Sequence, residues 1–245
     1  MKKDISVIIA AYNEEKNIRA AIENIQEILQ KSHLEYELLA FDDGSRDQTG
    51  PIMDEMARTV PLKVIHNPRN CGLAYVSREG IKRAAKNYVT WFPGDNSVDK
   101  ESMQVLLSAL GEADIITAYM SNIHVRPLLR RWMTRIFTFS MNKIFNLNLR
   151  YYTGPVIYPV ELARQTPTIA EGYHFFSEML IRCLKKGASC KEMSFIHNPD
   201  NERNTKAFSW RNFISLIKTT AVLINDINLK KENSQVLRSN LGPIK

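Results

Sequence analysis

Ser6-Val7-Ile8-Ile9-Ala10-Ala11-Tyr12-Asn13-Glu14, followed by Tyr36-Glu37-Leu38-Leu39-Ala40-Phe41-Asp42-Asp43-Gly44-Ser45, is the stretch that decides the fold. Each part is a short apolar run that stops abruptly at polar residues, the pattern of a buried strand feeding a loop. Between them, Glu15 to Gln30 carries its apolar residues at helical spacing. Reading outward from Ile5 to Ala10 and Tyr36 to Phe41, the alternation repeats. Thr49 to Arg58 is predicted as a helix, Leu62 to His66 as a strand, Cys71 to Lys86 as a helix and Tyr88 to Phe92 as a strand. Strands and helices in this rhythm make βαβ units and a mainly parallel sheet. In such sheets ligands collect at the carboxyl ends of the strands.

Those ends carry the chemistry. The first delivers Tyr12-Asn13-Glu14 and the second Asp42-Asp43-Gly44-Ser45. The third delivers Asn67-Pro68-Arg69-Asn70 and the fourth Pro93-Gly94-Asp95-Asn96. Acids, amides and an arginine thus converge on one edge of the predicted sheet.

The chain has 245 residues, 44% apolar and 24% charged, enough for one α/β domain with a sizeable core or that domain plus a helical tail. No internal repeat or low-complexity tract is visible. Cys71, Cys183 and Cys190 have no metal-ligand spacing and suit a reducing compartment better than a disulfide scaffold. The apolar residues after Met1-Lys2-Lys3-Asp4 read as a first strand rather than a signal peptide. A membrane span needs about 18 uninterrupted apolar residues, and Phe208 to Ile227 is broken by Arg211, Lys218 and Asp226. The formal net charge of +7 favours anionic partners. A nucleic-acid partner would rest on that charge alone and is not expected.

The second half is less regular. Asp114 to Ala118 is predicted as a strand, Arg126 to Phe145 as a basic and aromatic helix, and Tyr173 to Lys186 as a helix stopped by Gly187. Ser189 to His197 reads as an edge strand, Asn198 to Lys206 as a polar loop, and Phe208 to Ile227 as an apolar helix. The expected division is a catalytic domain over residues 1–207 and a helix with a polar tail over residues 208–245.

The first two motifs together, with Asp42-Asp43-Gly44-Ser45-Arg46-Asp47-Gln48-Thr49 as the second, resemble the opening of family-2 glycosyltransferases of the GT-A fold, a Rossmann-like nucleotide-sugar-binding sheet. Within that family the arrangement is similar to dolichyl- or polyprenyl-phosphate sugar synthases, from the N-terminus to about Phe208. The resemblance implies transfer, with inversion, from a UDP- or GDP-sugar to a polyprenyl-phosphate lipid. It implies nucleotide-binding roles for Ala11 (where the family usually has proline), Tyr12, Glu14, Asp42, Arg69 and Gly72. A carboxylate suits the N–H donors of a uracil or guanine ring. Asp47 is expected to cap the following helix, as a site neighbour or as a cap alone. The alternatives are a transferase that uses a glycan hydroxyl and a GT-A protein that binds donor with attenuated turnover.

The family's Asp-x-Asp metal motif stands here as Pro93-Gly94-Asp95, so Asp95 alone would hold Mg2+ or Mn2+, with Asn96 or Ser97 as neutral oxygens. Magnesium manages with one or two carboxylates when phosphates complete its shell. Arg126, Arg130 and Thr134 recur every four residues on one helical face, and the resemblance makes them the acceptor-phosphate site. Trp132, Met133, Ile136, Phe137 and Phe139 would meet lipid or, equally, pack into a core. Glu178 corresponds to an acidic family position and would orient the acceptor, act as a base, or partner an arginine. Arg203 and Lys206 would close on the departing diphosphate. The expected location is cytoplasmic, peripheral on the inner face of an anionic membrane.

Overall fold

The computed structural model describes residues 2–172, 174–197 and 220–226. The first half follows the predicted alternation: β1 (Asp4–Ala11), α1 (Ile18–Ser32), β2 (Glu35–Asp42), α2 (Thr49–Met56), β3 (Leu62–His66), α3 (Leu73–Arg83) and β4 (Tyr88–Pro93). Then come α4 (Lys100–Ser108), β5 (Ile115–Met120), a 3-10 turn (Ile123–Val125), α5 (Leu128–Phe145), β6 (Val156–Pro159), α6 (Val160–Arg164), α7 (His174–Lys185) and β7 (Cys190–Phe195). The strands form one sheet in the order β3-β2-β1-β4-β6-β5-β7. All neighbours are parallel except β6, which runs antiparallel to both β4 and β5. The carboxyl ends of the other six strands therefore share one edge.

Period-two patterning explains why the sheet sits between two apolar layers. In β1, Ile5, Val7 and Ile9 join the core that holds Ile18, Ala21, Ile22, Ile25 and Leu29 of α1, while Ile8 faces the opposite core with Leu39 and Phe41. The second core also takes Met141 and Phe145 of α5, Phe175, Met179 and Leu180 of α7, and Leu223. The α1 stripe at 18, 21, 22, 25, 28 and 29 is a full helical face, and the helix stops at His33 in the left-handed region. Gly187, at φ 95°, follows α7 as expected.

Three elements have no sequence prediction: α4, β6 and α6. β6 is four residues, Val156–Pro159, preceded by Pro155 and ending on a proline, too short for a period to register. Of the predicted C-terminal helix only residues 220–226 are described. They are helical, with Leu223 buried and Asp226 2.9 Å from Arg182, so this part packs on the α7 layer. The predicted boundary at 207/208 lies outside the described residues.

Candidate active site

The strand register puts the predicted donor residues in a row. Ala11 on β1 pairs with Asp42 on β2, Asp42 pairs with His66 on β3, and Ala10 pairs with Pro93 on β4. The loops above this row are tied by side chains to backbone N–H groups rather than by regular structure. The Thr49 hydroxyl accepts from the Glu14 N–H at 2.7 Å, and the Ser45 hydroxyl accepts from the Asn13 N–H at 3.0 Å. The buried Asp43 carboxylate accepts from Asn67 Nδ2 (2.7 Å), the Cys71 N–H (2.9 Å) and the Gly72 N–H (2.8 Å). Asp43 thus bolts the β2–α2 turn to the loop that starts α3.

Gly44 completes the join. It sits at φ 72°, and a Cβ there would lie 2.4 Å from the Arg69 carbonyl carbon, so only glycine lets the two loops touch. Arg69 is itself exposed directly over the turn. Gly72, at φ 88°, opens α3 with free space around its α-carbon. Tyr12 is exposed at the rim, whereas Glu14 is buried and its carboxylate accepts from Asn17 Nδ2 at 3.0 Å.

Asp42 is buried, with Oδ1 accepting from the Ser45 N–H at 3.0 Å and Oδ2 3.1 Å from His66 Nδ1. The sequence reading gave His66 only as the end of a strand, since a histidine there carries no motif. Asp47 acts from one residue further out than a helix cap. Gln48 is the N-cap residue, and the Asp47 carboxylate accepts from the Thr49 N–H (3.0 Å) and the Glu15 N–H (3.2 Å). Against the opposing effect of burial, a bond from the Thr49 hydroxyl (2.6 Å), together with these two, holds its carboxyl below the usual range.

At the end of β4, Gly94 packs against β1: a Cβ would lie 2.8 Å from the Ala10 carbonyl oxygen. Asp95 Oδ1 accepts from the Ser97 N–H at 3.0 Å, and Oδ2 has no protein partner among the described residues. Asn96 Oδ1 is turned to Asn24 Nδ2 at 3.0 Å, away from the role of a neutral metal ligand. Among the described residues, no three His, Cys, Asp or Glu side chains gather as a metal cage. One open carboxylate oxygen fits a hard divalent cation only when phosphate oxygens supply most of its shell.

The acceptor-side predictions fall on the β5 side of the same edge. Arg126 follows the 3-10 turn after β5 and donates from Nη1 to the Tyr151 hydroxyl at 3.1 Å. Its Nε–H is buried without a partner among the described residues. Asn142 returns the other end of α5 to the edge, bonding both the N–H and the carbonyl of Leu149. Arg130 and Thr134 lie on α5 between these anchors, half-buried.

The sequence left α5 open between a packed core helix and a lipid-facing one. The packed-core alternative is corrected: Met141 and Phe145 are its only buried residues, while Leu128, Leu129, Trp132, Ile136 and Phe139 are each more than 60% exposed. Between Asp114 and Glu161 the chain has no acidic residue but carries Arg126, Arg130, Arg131, Arg135, Lys143 and Arg150.

Glu178 is not brought to this edge as an open acid. Its side chain is fully buried, Oε2 accepts from the Ile169 and Ala170 N–H groups (2.9 and 2.7 Å), and Oε1 from Arg182 Nε (2.7 Å). With both oxygens committed, the partner-of-an-arginine alternative describes it and the base does not. Arg203 and Lys206 lie outside the described residues.

Solved structures share this fold. Glucosyl-3-phosphoglycerate synthase from Mycobacterium tuberculosis, solved in complex with Mn2+, UDP and glucosyl-3-phosphoglycerate, superposes with a TM-score of 0.67 at 18% identity, covering 88% of this chain and 79% of that one. The sheet is accordingly of the GT-A type. An uncharacterised glycosyltransferase of Rickettsia conorii is 32% identical over 117 residues, 48% of this chain and 19% of that protein. The dolichol-phosphate mannosyltransferase of Pyrococcus furiosus is 31% identical over 106 residues, 43% of this chain and 30% of that protein. The matched region thus spans less than a third of these relatives. The model of the family described as "Glycosyl transferase family 2" matches residues 6–170, from the first strand through the site just described, and the chain belongs to that family.

Proposed function

We propose that this chain transfers a sugar from a UDP- or GDP-sugar to the phosphate of a polyprenyl-phosphate lipid, at the surface of an anionic membrane. The observation that carries the acceptor assignment is α5, an acid-free basic helix with an exposed apolar face, rising from the edge that holds the donor residues. The buried Nε–H of Arg126, without a partner among the described residues, supports it, because a buried guanidinium donor calls for an anion. Similarity to a dolichol-phosphate mannosyltransferase points the same way.

In this reading Asp42 accepts an N–H of the base, with Tyr12, Glu14 and Arg69 around the nucleoside and Gly72 allowing close approach to the phosphates. Arg126, Arg130 and Thr134 hold the acceptor phosphate. One of its oxygens attacks the anomeric carbon as the bond to the donor diphosphate breaks, giving inversion and releasing the nucleoside diphosphate. A phosphate oxygen already carries negative charge, so the attack needs no general base, which agrees with the committed state of Glu178. A Mg2+ or Mn2+ ion at Asp95 would offset charge growing on the leaving diphosphate. Arg203 and Lys206, which follow β7 in the sequence, would add to that.

The test is calorimetry with UDP and GDP, each with manganese and with chelator, on wild type and Asp95→Ala. Metal-dependent binding of one nucleotide, lost in the variant, is expected; binding of neither would overturn the donor site. For the acceptor, Arg130→Ala should reduce transfer to polyprenyl phosphate about a hundredfold, as loss of one donor at a charged centre does. Equal turnover with and without Arg130 would move the acceptor to a glycan hydroxyl.

A further inference from the structure

His66 ends β3 beside Asp42, and both of its ring nitrogens face carboxylates. Nδ1 lies 3.1 Å from Asp42 Oδ2, and Nε2 lies 3.0 Å from Asp54 Oδ1 on α2. The two acids differ: the Asp42 side chain is 9% exposed, the Asp54 side chain 58%. The space for this bridge is made by the helix backbone. A Cβ on Gly50, in the first turn of α2, would lie 2.7 Å from Asp42 Oδ2 and 3.4 Å from His66 Cε1.

A neutral imidazole has one N–H, so it cannot donate to both carboxylates; the doubly protonated ring can. We infer that His66 is the positioning residue of the donor pocket, an imidazolium strapped between Asp54 and Asp42 that fixes the carboxylate offered to the nucleotide base and makes donor affinity depend on pH. The inference rests on Asp42 being the base acceptor proposed above.

The consequence follows from the asymmetry of the two acids. When the ring loses a proton, buried Asp42 has no water to replace the bond, whereas Asp54 does. The remaining N–H therefore stays with Asp42, the anchor to Asp54 is lost, and the ring's positive charge beside an anionic ligand is lost with it. Among the described residues, the charged groups acting on the ring are Asp42 from β2 and Asp54 from α2. The bond to Asp42, first, and then Asp54 hold its titration above the ordinary histidine value, against an opposing effect of burial. A ring raised in this way strengthens the strap fully below about pH 6.5 and loses it as pH rises through the higher, folded-state value.

The experiment is calorimetry with the sugar nucleotide of the base that the donor screen selects, from about pH 5.5 to about pH 8. Its diphosphate is a diester and gains no proton in that range. Wild-type affinity is expected to fall about tenfold, the scale of one hydrogen bond to a charged group. His66→Asn, whose amide nitrogen stands in for Nδ1 but does not titrate, should bind with a flat profile. Asp54→Asn should move the midpoint to lower pH while leaving the acid-side affinity. A flat wild-type profile, or the wild-type slope persisting in His66→Asn, would overturn the inference. Failure of the underlying reading looks different: Asp42→Asn would then bind nucleotide as wild type does. Ring proton shifts of His66 in the free protein report the strap without nucleotide, and a midpoint unmoved by Asp54→Asn would also refute it.

Discussion

The two sides of the carboxyl edge are built on opposite plans. On the β1–β4 side, short loops are pinned by buried acids and hydroxyls: Asp43 to three donors, Thr49 to Glu14, Asp47 to Glu15 and Thr49. On the β5 side, α5 buries only Met141 and Phe145 near its C-terminal end, with Phe137 half-buried beside Tyr152, and turns large apolar side chains outward among arginines. A pocket for an invariant nucleotide gains from being preorganised, because every hydrogen bond within the loops removes an ordering cost at binding. If α5 meets lipid, as proposed, its apolar face gains from staying exposed until it gets there. The contrast predicts where substitutions unfold the protein and where they alter only its associations.

Glu178 marks the extreme of the pinned plan and carries the largest expected effect. It clamps the Ile169–Ala170 backbone to Arg182, which reaches on to Asp226. Glu178→Gln leaves a guanidinium without its buried partner and should cost about 3–5 kcal/mol in urea unfolding. Activity should fall only in proportion to the folded fraction. Unchanged stability with collapsed turnover would instead restore the catalytic base. Asp43→Asn comes next, at about 2–3 kcal/mol, because an amide cannot accept from all three donors as a carboxylate does. Nucleotide affinity should weaken alongside stability, since the same bonds set the Arg69 loop against the Asp42 turn. A stable variant with weakened binding would put Asp43 itself on the ligand.

How much of this was legible in the sequence follows the same division. The β1–β4 side was readable because strand period, helix stripe and loop chemistry all agree there: Leu62–His66 was predicted as observed, and the other six elements to within three residues at either end. Asp42, Arg69 and Asp95 reach one edge because parallel strands must end together. His66 and Gly50 were illegible, because their roles come from a neighbouring strand and a helix packed behind it, not from spacing along the chain. β6 was illegible because four residues that end on a proline carry no period, and its reversal of direction is tertiary. Glu178 was placed by resemblance on a family position, and only burial revealed that both its oxygens are spent. For α5 the pattern of apolar and basic residues was plain, but a helix with such a stripe packs inward or outward equally well until its neighbours are known.

The smallest stability effect is expected where the association effect is largest. Trp132 and Phe139 lie seven positions apart on α5, on the same face as Leu128, Leu129 and Ile136, and the Arg135 guanidinium lies 5.9 Å from the Trp132 ring centre. Trp132→Ser with Phe139→Ser removes no buried side chain among the described residues, so unfolding free energy should shift by no more than about 0.5 kcal/mol per site. Co-sedimentation with vesicles containing phosphatidylglycerol should fall at least about tenfold, because the apolar face and the arginines contribute jointly. Neutral phosphatidylcholine vesicles should bind wild type weakly, since they offer the apolar surface without the charge. A large loss of stability in the double variant would mean that α5 is covered by the protein itself and that the open plan is wrong. Undiminished vesicle binding would place the membrane contact elsewhere on the chain and leave α5 to hold the acceptor phosphate alone.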